Sequence, residues 1–498
     1  MKKTFLLTLM FIPFIVATGQ SFQETEIGSG AIRGSHVIVR NYRDTVTVTY
    51  NLDYNLSDGE NRFTIWKTAS SQCVSFKLTD IYTMGGTPFP TPPNFSGGKT
   101  LYRIHDMQIY GDTCYFCGEE KTTTGNYVID TNGLQTYETD DVGLVGKFTI
   151  DKMLIGINDL KLIRIPYVSS LKRMTVYTAS QGYSISMIGT PKDLTSPSCI
   201  VDLYPDPGSG SWVYDAAKPM NVQEVLTDIT YSGGAVVTVS KTTNDNYAFI
   251  LRLTKAAWIL TDPTTCIFNP YLFHTNTATV NSNPAVLPTE RDILSPLFLC
   301  PEEKESPVFY VAHECRGPHY GVAVYRMKVV DFCIPAQNIE NQYIMFPTSW
   351  TKLNDIASSF VAQTLYLLTK NTAMNIPYVQ LASFPHTTDY SDYQYYQSDH
   401  NIQSLDIINS TQLLYAGSNN STDNIFQTFT TTPHFDPLST PIISSCRGYS
   451  AYPIYILKQL FMEINDFDLE LPIFQEEVSW VDSICVLKMY NNTSICRF

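Results

Sequence analysis

The chain has 498 residues, a formal net charge of −14 and only 16% charged residues, while 13% of its residues are aromatic. Binding to a nucleic-acid backbone requires clustered lysine and arginine, so this acidic chain without a basic run is not expected to bind nucleic acid. Its 32 tyrosines favour strands and half-buried surfaces, where the ring packs and the hydroxyl stays hydrated.

The first residues, MKKTFLLTLMFIPFIVATGQ, predict a secretory signal peptide. Lys2 and Lys3 precede an apolar stretch that is too short to span a bilayer, and small residues from Ala17 predict cleavage after Gly19. No second long apolar run follows, so no membrane span is expected in the mature chain. We therefore expect residues 1–19 to direct export to the periplasm, the cell surface or the extracellular medium.

Residues 20–498 consist of short apolar or alternating runs bounded by Gly, Asn, Asp and Pro, which predict an all-β chain. A degenerate unit recurs among these runs: an aspartate, an apolar residue, a short turn, an apolar strand and a small residue. Clear copies begin at Asp106, Asp228, Asp355 and Asp406, and weaker copies begin near Lys172 and Asp292.

From Asp106 to Asp406 is 300 residues in five steps, an average of 60, which is typical of a four-stranded propeller blade. We therefore expect one β-propeller domain over residues 20–498, with about seven four-stranded blades and with six or eight as alternatives. Strands within residues 31–80 are expected to pair with C-terminal strands and close the ring. The alternative fold is two β-sandwich domains, although the composition does not change in mid-chain.

Cys114 and Cys117 have the Cys-x-x-Cys spacing of redox and metal motifs. Residues three apart on a strand point to opposite faces, so these two are expected to pack within a blade instead. The 11 cysteines are odd in number and scattered, which does not predict a disulfide framework. One candidate disulfide joins Cys485 and Cys496 across a hairpin that turns at residues 490–492.

Five residues are candidates for ligand binding because of their chemistry and their position near turns. His313 and His319 flank a Gly-Pro turn, where imidazoles could bind a ligand or exchange protons, although a packed hairpin explains them as well. Tyr393, Tyr395 and Trp212 lie in polar segments, and aromatic faces beside hydrogen-bonding groups suit sugar rings or peptides. The alternative for these three is that they anchor loops.

The segments IHDMQIYGDTCYFCG (104–118) and GLVGKFTI (143–150), together with the Lys-Lys signal peptide, form a recognisable combination. In these features the chain resembles a group of uncharacterised secreted proteins of Bacteroidota with degenerate β-propeller repeats. The resemblance implies export and a propeller fold, and it brings no catalytic residues to this sequence.

The sequence contains no Gly-x-Ser-x-Gly, His-Glu-x-x-His, phosphate-loop or dinucleotide motif, and it indicates no cofactor and no metal site. We therefore expect a binding protein for a glycan or for another envelope protein. One alternative is a glycoside hydrolase or polysaccharide lyase, which paired carboxylates with a positive neighbour at the axial mouth would favour. A purely structural envelope protein is the other alternative.

Overall fold

A computed structural model shows a chain of antiparallel sheets. It describes residues 23–33, 36–43, 46–52, 61–67, 72–78, 82–83, 100–129, 135–179, 182–193, 196–206, 211–215, 218–220, 223–255, 271–274, 292–303, 306–316, 321–328, 342–345, 352–360, 364–370, 379–385, 394–398, 401–408, 413–418, 425–432, 479–481, 484–487 and 496–497. Within these ranges, no helix is long and apolar enough to cross a membrane. The predicted signal peptide lies outside them.

The first three blades follow strand β1 (Gln23–Arg33), which belongs to the last blade. Blade 1 contains β2 (His36–Arg43), β3 (Val46–Leu52), β4 (Asn61–Lys67) and β5 (Gln72–Lys77). Blade 2 contains β6 (Tyr82–Thr83), β7 (Thr100–Tyr110), β8 (Thr113–Ile129), β9 (Gln135–Thr149) and β10 (Lys161–Ile165), with helix α1 (Ile150–Leu154) between β9 and β10. Blade 3 contains β11 (Val168–Ala179), β12 (Gly182–Pro191), β13 (Cys199–Pro205), β14 (Trp212–Tyr214) and β15 (Lys218–Pro219).

Four further blades follow in chain order. Blade 4 contains β16 (Glu224–Ser232), β17 (Ala235–Thr242), β18 (Ala248–Lys255) and β19 (Tyr271–His274). Blade 5 contains β20 (Asp292–Pro301), β21 (Val308–Arg316), β22 (Gly321–Lys328) and β23 (Gln342–Met345). Blade 6 contains β24 (Lys352–Ser359), β25 (Thr364–Lys370), β26 (Val379–Pro385) and β27 (Gln394–Ser398). Blade 7 contains β28 (Asn401–Ile407), β29 (Leu413–Ser418), β30 (Ile425–Thr432) and β1.

The innermost strands of these sheets meet around one axis. In chain order, each contacts the next, from β2 through β7, β11, β16, β20 and β24 to β28, and β28 contacts β2 again. This cyclic order confirms the predicted β-propeller of about seven blades and excludes the two-sandwich alternative. A separate three-stranded sheet of β31 (Ser479–Val481), β32 (Ile484–Leu487) and β33 (Cys496–Arg497) follows blade 7 in the chain.

The ring closes with an N-terminal strand, as expected, but most of that strand lies before residues 31–80, the segment that was predicted to supply it. Strand β1 pairs with β30 from Gln23 opposite Thr432 to Arg33 opposite Ile425, so most of the closing strand precedes residue 31. The strands between residues 36 and 77 instead form blade 1. The prediction that these strands belong to the closing sheet was wrong. Strands β2 to β5 pair with one another and form a complete four-stranded sheet.

The apolar cores lie between neighbouring blades, because each blade buries both of its faces. Between blades 1 and 2, the ring of Phe63 lies 4.9 Å from that of Phe116 and 5.1 Å from that of Phe148, measured between centroids. Cys114 is buried in this same core, whereas Cys117 is buried in the core between blades 2 and 3. The two thiols are free and face opposite sides of β8, as the strand geometry predicted.

Three glycines are required by close approach or by turn geometry. A Cβ atom on Gly118 would lie 2.0 Å from the carbonyl oxygen of Arg103 on the neighbouring strand, so a larger residue would separate β7 from β8. Gly233 and Gly234 form the two-residue turn between β16 and β17, with φ of 55° and 83°. Both φ values lie in the left-handed region that glycine adopts without strain.

Candidate functional site

A polar cavity of about 390 Å³ lies on the ring axis, where the innermost strands converge. We call it the axial chamber. The inner strands of six blades contribute charged residues to its lining: Arg40, Asp106, Arg173, Asp228, Asp355 and Asp406. Glu302 and Glu303, which follow the inner strand of blade 5, also line it. Its volume is in the range of pockets that hold small ligands. The chamber is therefore a candidate binding site.

The repeated aspartate of the sequence is a hydrogen-bonded link between blades. Asp106 accepts a hydrogen bond at Oδ1 from the backbone N–H of Met107, at 2.8 Å, and one at Oδ2 from the N–H of Met174 in blade 3, at 3.0 Å. Each carboxylate oxygen thereby satisfies one buried backbone donor. The sequence repeat identified the residue but did not indicate this role, because the second donor lies in another unit.

The same arrangement occurs at the three other clear copies of the repeat. In each, Oδ1 accepts from the next residue of its own strand, and Oδ2 accepts from the inner strand of the following blade. The partners are Ile229 (2.9 Å) and Leu299 (2.6 Å) for Asp228, Ile356 (2.9 Å) and Leu405 (3.0 Å) for Asp355, and Ile407 (2.9 Å) and Asn41 (2.7 Å) for Asp406. These bonds fix the four carboxylates in place at the chamber wall.

Two arginines balance part of the carboxylate charge. Arg40 donates from Nε to the carbonyl oxygen of Met107, at 2.7 Å, and its Nη2 lies 3.3 Å from Oδ1 of Asp106. Arg173 lies 3.9 Å from Asp228 and covers the ring of Phe298 at 5.6 Å. The wall therefore carries both charged donors and charged acceptors, beside the aromatic face of Phe298.

Burial of Asp228 raises the pKa of its carboxyl group to about 6, although Arg173 and two backbone N–H groups favour the charged form. Burial also raises the pKa of Asp406, against the opposing effects of Arg40 and the backbone donors. Asp228 therefore changes protonation near neutral pH, which is the range in which a carboxyl group can give or accept a proton during ligand binding.

We expect Asp228 to contribute a rise in the free energy of unfolding as pH falls from about 7 to about 5, while His105, whose pKa is lowered by burial, contributes in the opposite direction. The folded-state pKa of Asp228 is above the ordinary value of 3.8, so in this range the folded chain binds a proton that the unfolded chain does not bind. The gain from this group over that pH range is about 1 kcal/mol. Urea unfolding at several pH values measures it.

The control for this prediction is Asp228→Asn, which cannot titrate. As pH falls over this range, its unfolding free energy should rise less, or fall more, than that of the parent protein, because Asp406 and His105 still titrate but position 228 does not. Equal pH slopes for the two proteins would contradict the assignment to Asp228.

His313, a candidate from the sequence, lies in the core between blades 4 and 5 and is fully buried. Its Nδ1 lies 2.7 Å from the carbonyl oxygen of Glu314, its Nε2 lies 3.2 Å from the hydroxyl of Tyr325, and its ring stacks on that tyrosine. The structure thus places it away from the axial chamber and among aromatic rings.

The other candidates are not brought together with His313. Trp212 lies on the outer strand β14, with its ring 6.5 Å from that of Tyr115 and with Nζ of Lys147 5.1 Å from its centroid. Tyr395 lies on β27, opposite Ala382. His319 and Tyr393 lie outside the described residues. A binding role for any of them stays a prediction.

The candidate disulfide also stays a prediction. Cys496 on strand β33 lies opposite Leu487 on the paired strand β32, and Leu487 is two residues from Cys485.

In the described ranges, no group of three or more His, Cys, Asp or Glu residues is placed to hold a metal ion.

No protein-family model matches the sequence, and no curated protein matches it. Among solved structures, Chaetomium thermophilum Raptor matches with a TM-score of 0.43 and 10% identity, over 85% of this chain and 30% of that chain. The WD40 domain of SCAP from fission yeast matches with a TM-score of 0.39 and 6% identity, over 83% of this chain and 98% of that one.

A third match is the β-propeller domain of the Trilobed protease from Pyrococcus furiosus, with a TM-score of 0.41 and 7% identity. This match covers 80% of the present chain and 94% of the protease domain. The present chain spans less than a third of the length of Raptor. At these identities the similarity concerns the propeller fold alone.

Proposed function

We propose that this propeller is a binding protein that takes the end of a glycan into its axial chamber. The observation that carries the proposal is that four fixed aspartate carboxylates and two guanidinium groups line one cavity of about 390 Å³. A sugar hydroxyl both donates and accepts hydrogen bonds, so it matches a wall that offers both acceptors and donors. The nearby face of Phe298 suits the apolar side of a sugar ring.

The proposed place of action is outside the cytoplasm, and this part rests on the predicted signal peptide. A protein of the cell envelope is the other proposed class of ligand. The chamber favours the glycan over that protein, because a cavity of this size accepts a chain end rather than a folded surface.

The test uses the protein that begins at Gln20, applied to a printed array of oligosaccharides. Calorimetry then measures the affinity of the strongest hit for the parent protein, for Arg173→Met and for Arg43→Met. We expect Arg173→Met to weaken binding by about tenfold or more, because it removes a charged hydrogen-bond donor from the chamber wall. Arg43 is half exposed and pairs with Asp151, so Arg43→Met should bind as the parent does.

Failure of every oligosaccharide to bind, or equal affinities for the two arginine variants, would refute glycan binding in the chamber. Capture of an envelope protein by the parent, with no glycan hit, would refute it in favour of the protein ligand.

An enzyme is a second candidate function, and one observation favours it. The carboxyl group of Asp228 lies beside Arg173 and has a pKa of about 6. This value is in the range that a general acid needs near neutral pH. Release of reducing ends or of unsaturated sugars from the hit identified above, abolished by Asp228→Asn, would establish the enzyme. Binding without turnover would exclude it for that glycan.

A further inference from the structure

Four aromatic rings lie close together where blade 2 meets blade 3. The ring centroids of Tyr110 and Tyr183 are 4.7 Å apart, and those of Tyr115 and Trp212 are 6.5 Å apart. In each pair, the first ring belongs to blade 2 and the second to blade 3. We call these four residues the aromatic row.

The strand register explains how Tyr183 and Trp212 come to lie on one face of blade 3. Ile185 on β12 lies opposite Leu203 on β13, which in turn lies opposite Tyr214 on β14. Tyr183 and Trp212 each precede the members of this ladder by two residues on strands that run in the same direction. Because side chains alternate between the faces of a strand, both rings point the same way. Only β13 separates their strands, so the two positions are about 10 Å apart.

Blade 2 supplies the facing side of the row. Tyr115 lies opposite Lys147 on β9, and Nζ of Lys147 lies 5.1 Å from the ring centroid of Trp212. Tyr110 and Trp212 pack against the core between blades 2 and 3, to which Tyr115 belongs. Burial, followed by the neighbouring Tyr183, raises the pKa of Tyr115 to about 12, which is consistent with the two pairs of rings being adjacent.

The row keeps a surface that a ligand can reach. Tyr183 is 43% exposed, Tyr110 and Trp212 are partly exposed, and Tyr115 is buried. The hydroxyl groups of Tyr110 and Thr178 form a hydrogen bond, and Thr178 lies opposite Tyr183 on the paired strand. The ring on which Tyr183 packs is therefore held in place from blade 3.

The row begins where the lining of the axial chamber ends. Gln108 and Ile109 on β7 and Val176 on β11 line the chamber. Tyr110 follows Ile109 directly and ends β7, and Tyr183 follows the turn after β11. Both turns lie at the C-terminal ends of inner strands, so they are on the same face of the ring. A ligand that leaves the chamber on this side between blades 2 and 3 meets the row.

The chemistry of the row suits sugar rings. The face of an aromatic ring carries partial negative charge, so it attracts the C–H groups on the apolar side of a sugar. The tyrosine hydroxyls and the ammonium group of Lys147 lie at the edges of these rings, where they can form hydrogen bonds with sugar hydroxyls. An acyl chain would remove water from these polar groups without replacing its hydrogen bonds, so the row favours the sugar.

We propose that the aromatic row is a second binding subsite, which holds the sugar units that follow the chain end in the axial chamber. This inference rests on the proposed glycan binding and adds the path that the rest of the glycan takes. Tyr183 and Trp212 stack on the sugar units, whereas Tyr110 and Tyr115 hold these two rings in position.

The test measures how affinity depends on the length of the glycan. Calorimetry is applied to cello-, malto-, manno- and xylo-oligosaccharides of two and six units, with the protein that begins at Gln20. In a series that binds, the hexasaccharide should bind about tenfold more tightly than the disaccharide. Tyr183→Ala and Trp212→Ala should each weaken hexasaccharide binding by about five- to tenfold, the contribution of one aromatic contact, and leave disaccharide binding unchanged. Arg173→Met in the chamber should weaken the binding of both lengths.

The matched control is Tyr247→Ala. Tyr247 is 40% exposed, close to the value for Tyr183, and it lies between β17 and β18, at the opposite end of blade 4 from the turn between β16 and β17. This variant should bind the hexasaccharide as the parent does. Tyr183→Phe and Trp212→Phe keep an aromatic face and should retain most of the affinity.

A hexasaccharide that binds no more tightly than its disaccharide would overturn the inference and leave binding in the chamber intact. Equal effects of Tyr183→Ala and Tyr247→Ala would overturn it as well, with circular dichroism confirming that both variants fold. An equal loss of disaccharide binding in Tyr183→Ala would show that the row is not a separate subsite. Failure of all four series to bind would overturn the inference together with the proposed glycan binding.

Discussion

Replacement of Asp106 by alanine is expected to lower the free energy of unfolding by about 3–5 kcal/mol, the usual cost of removing one partner of a buried ion pair. The change leaves two buried backbone N–H groups, those of Met107 and Met174, without their acceptor. It also removes the carboxylate next to Arg40. The midpoint of urea unfolding measures the loss.

Two variants make this result specific. Asp106→Asn keeps one acceptor oxygen and should lose about half as much stability. Asp140→Ala makes the same substitution in the same blade, but Asp140 is 66% exposed, so its effect should stay within about 0.5 kcal/mol. Similar losses for Asp106→Ala and Asp140→Ala would show that the link between blades contributes little.

Removal of strand β1 is expected to open the ring. A protein that begins at Ser35 lacks the whole strand that pairs with β30, so β30 becomes an unpaired edge. The thermal midpoint should fall by about 5–10 °C relative to the protein that begins at Gln20, the shift that several kcal/mol produces in a large domain. Size-exclusion chromatography should also show self-association through the exposed edge.

A synthetic peptide of residues 20–35 provides the control for this truncation. Added in excess, it should pair with β30 and raise the midpoint, whereas a scrambled peptide of the same composition should not. A truncated protein with an unchanged midpoint would mean that the ring is held together by the contacts between blades alone.

Much of the fold follows from local sequence patterns. Asp106, Asp228, Asp355 and Asp406 marked the repeat because four of the seven inner strands carry an aspartate at the same place, so the blade spacing could be predicted. The closing strand could not, because QETEIGSGAIR has a weak apolar pattern and its partner β30 is about 400 residues away in the chain. Pairing over such a distance leaves no local signal.

The candidate sites were harder to predict, and for a different reason. His313 and Trp212 were selected because they are chemically distinctive within a short segment, and the structure places both among packed aromatic rings. The axial chamber draws residues such as Arg40 and Asp355 from blades far apart in the chain.

The positions of Cys114 and Cys117 have a consequence for studying how the ring comes apart. The thiols are three residues apart on one strand, yet each is enclosed by a different pair of blades. A thiol-reactive dye can reach Cys114 only when blade 1 separates from blade 2, and Cys117 only when blade 2 separates from blade 3. The rates at which the two sulfurs are labelled thus report separately on the opening of two adjacent seams, without any engineered probe.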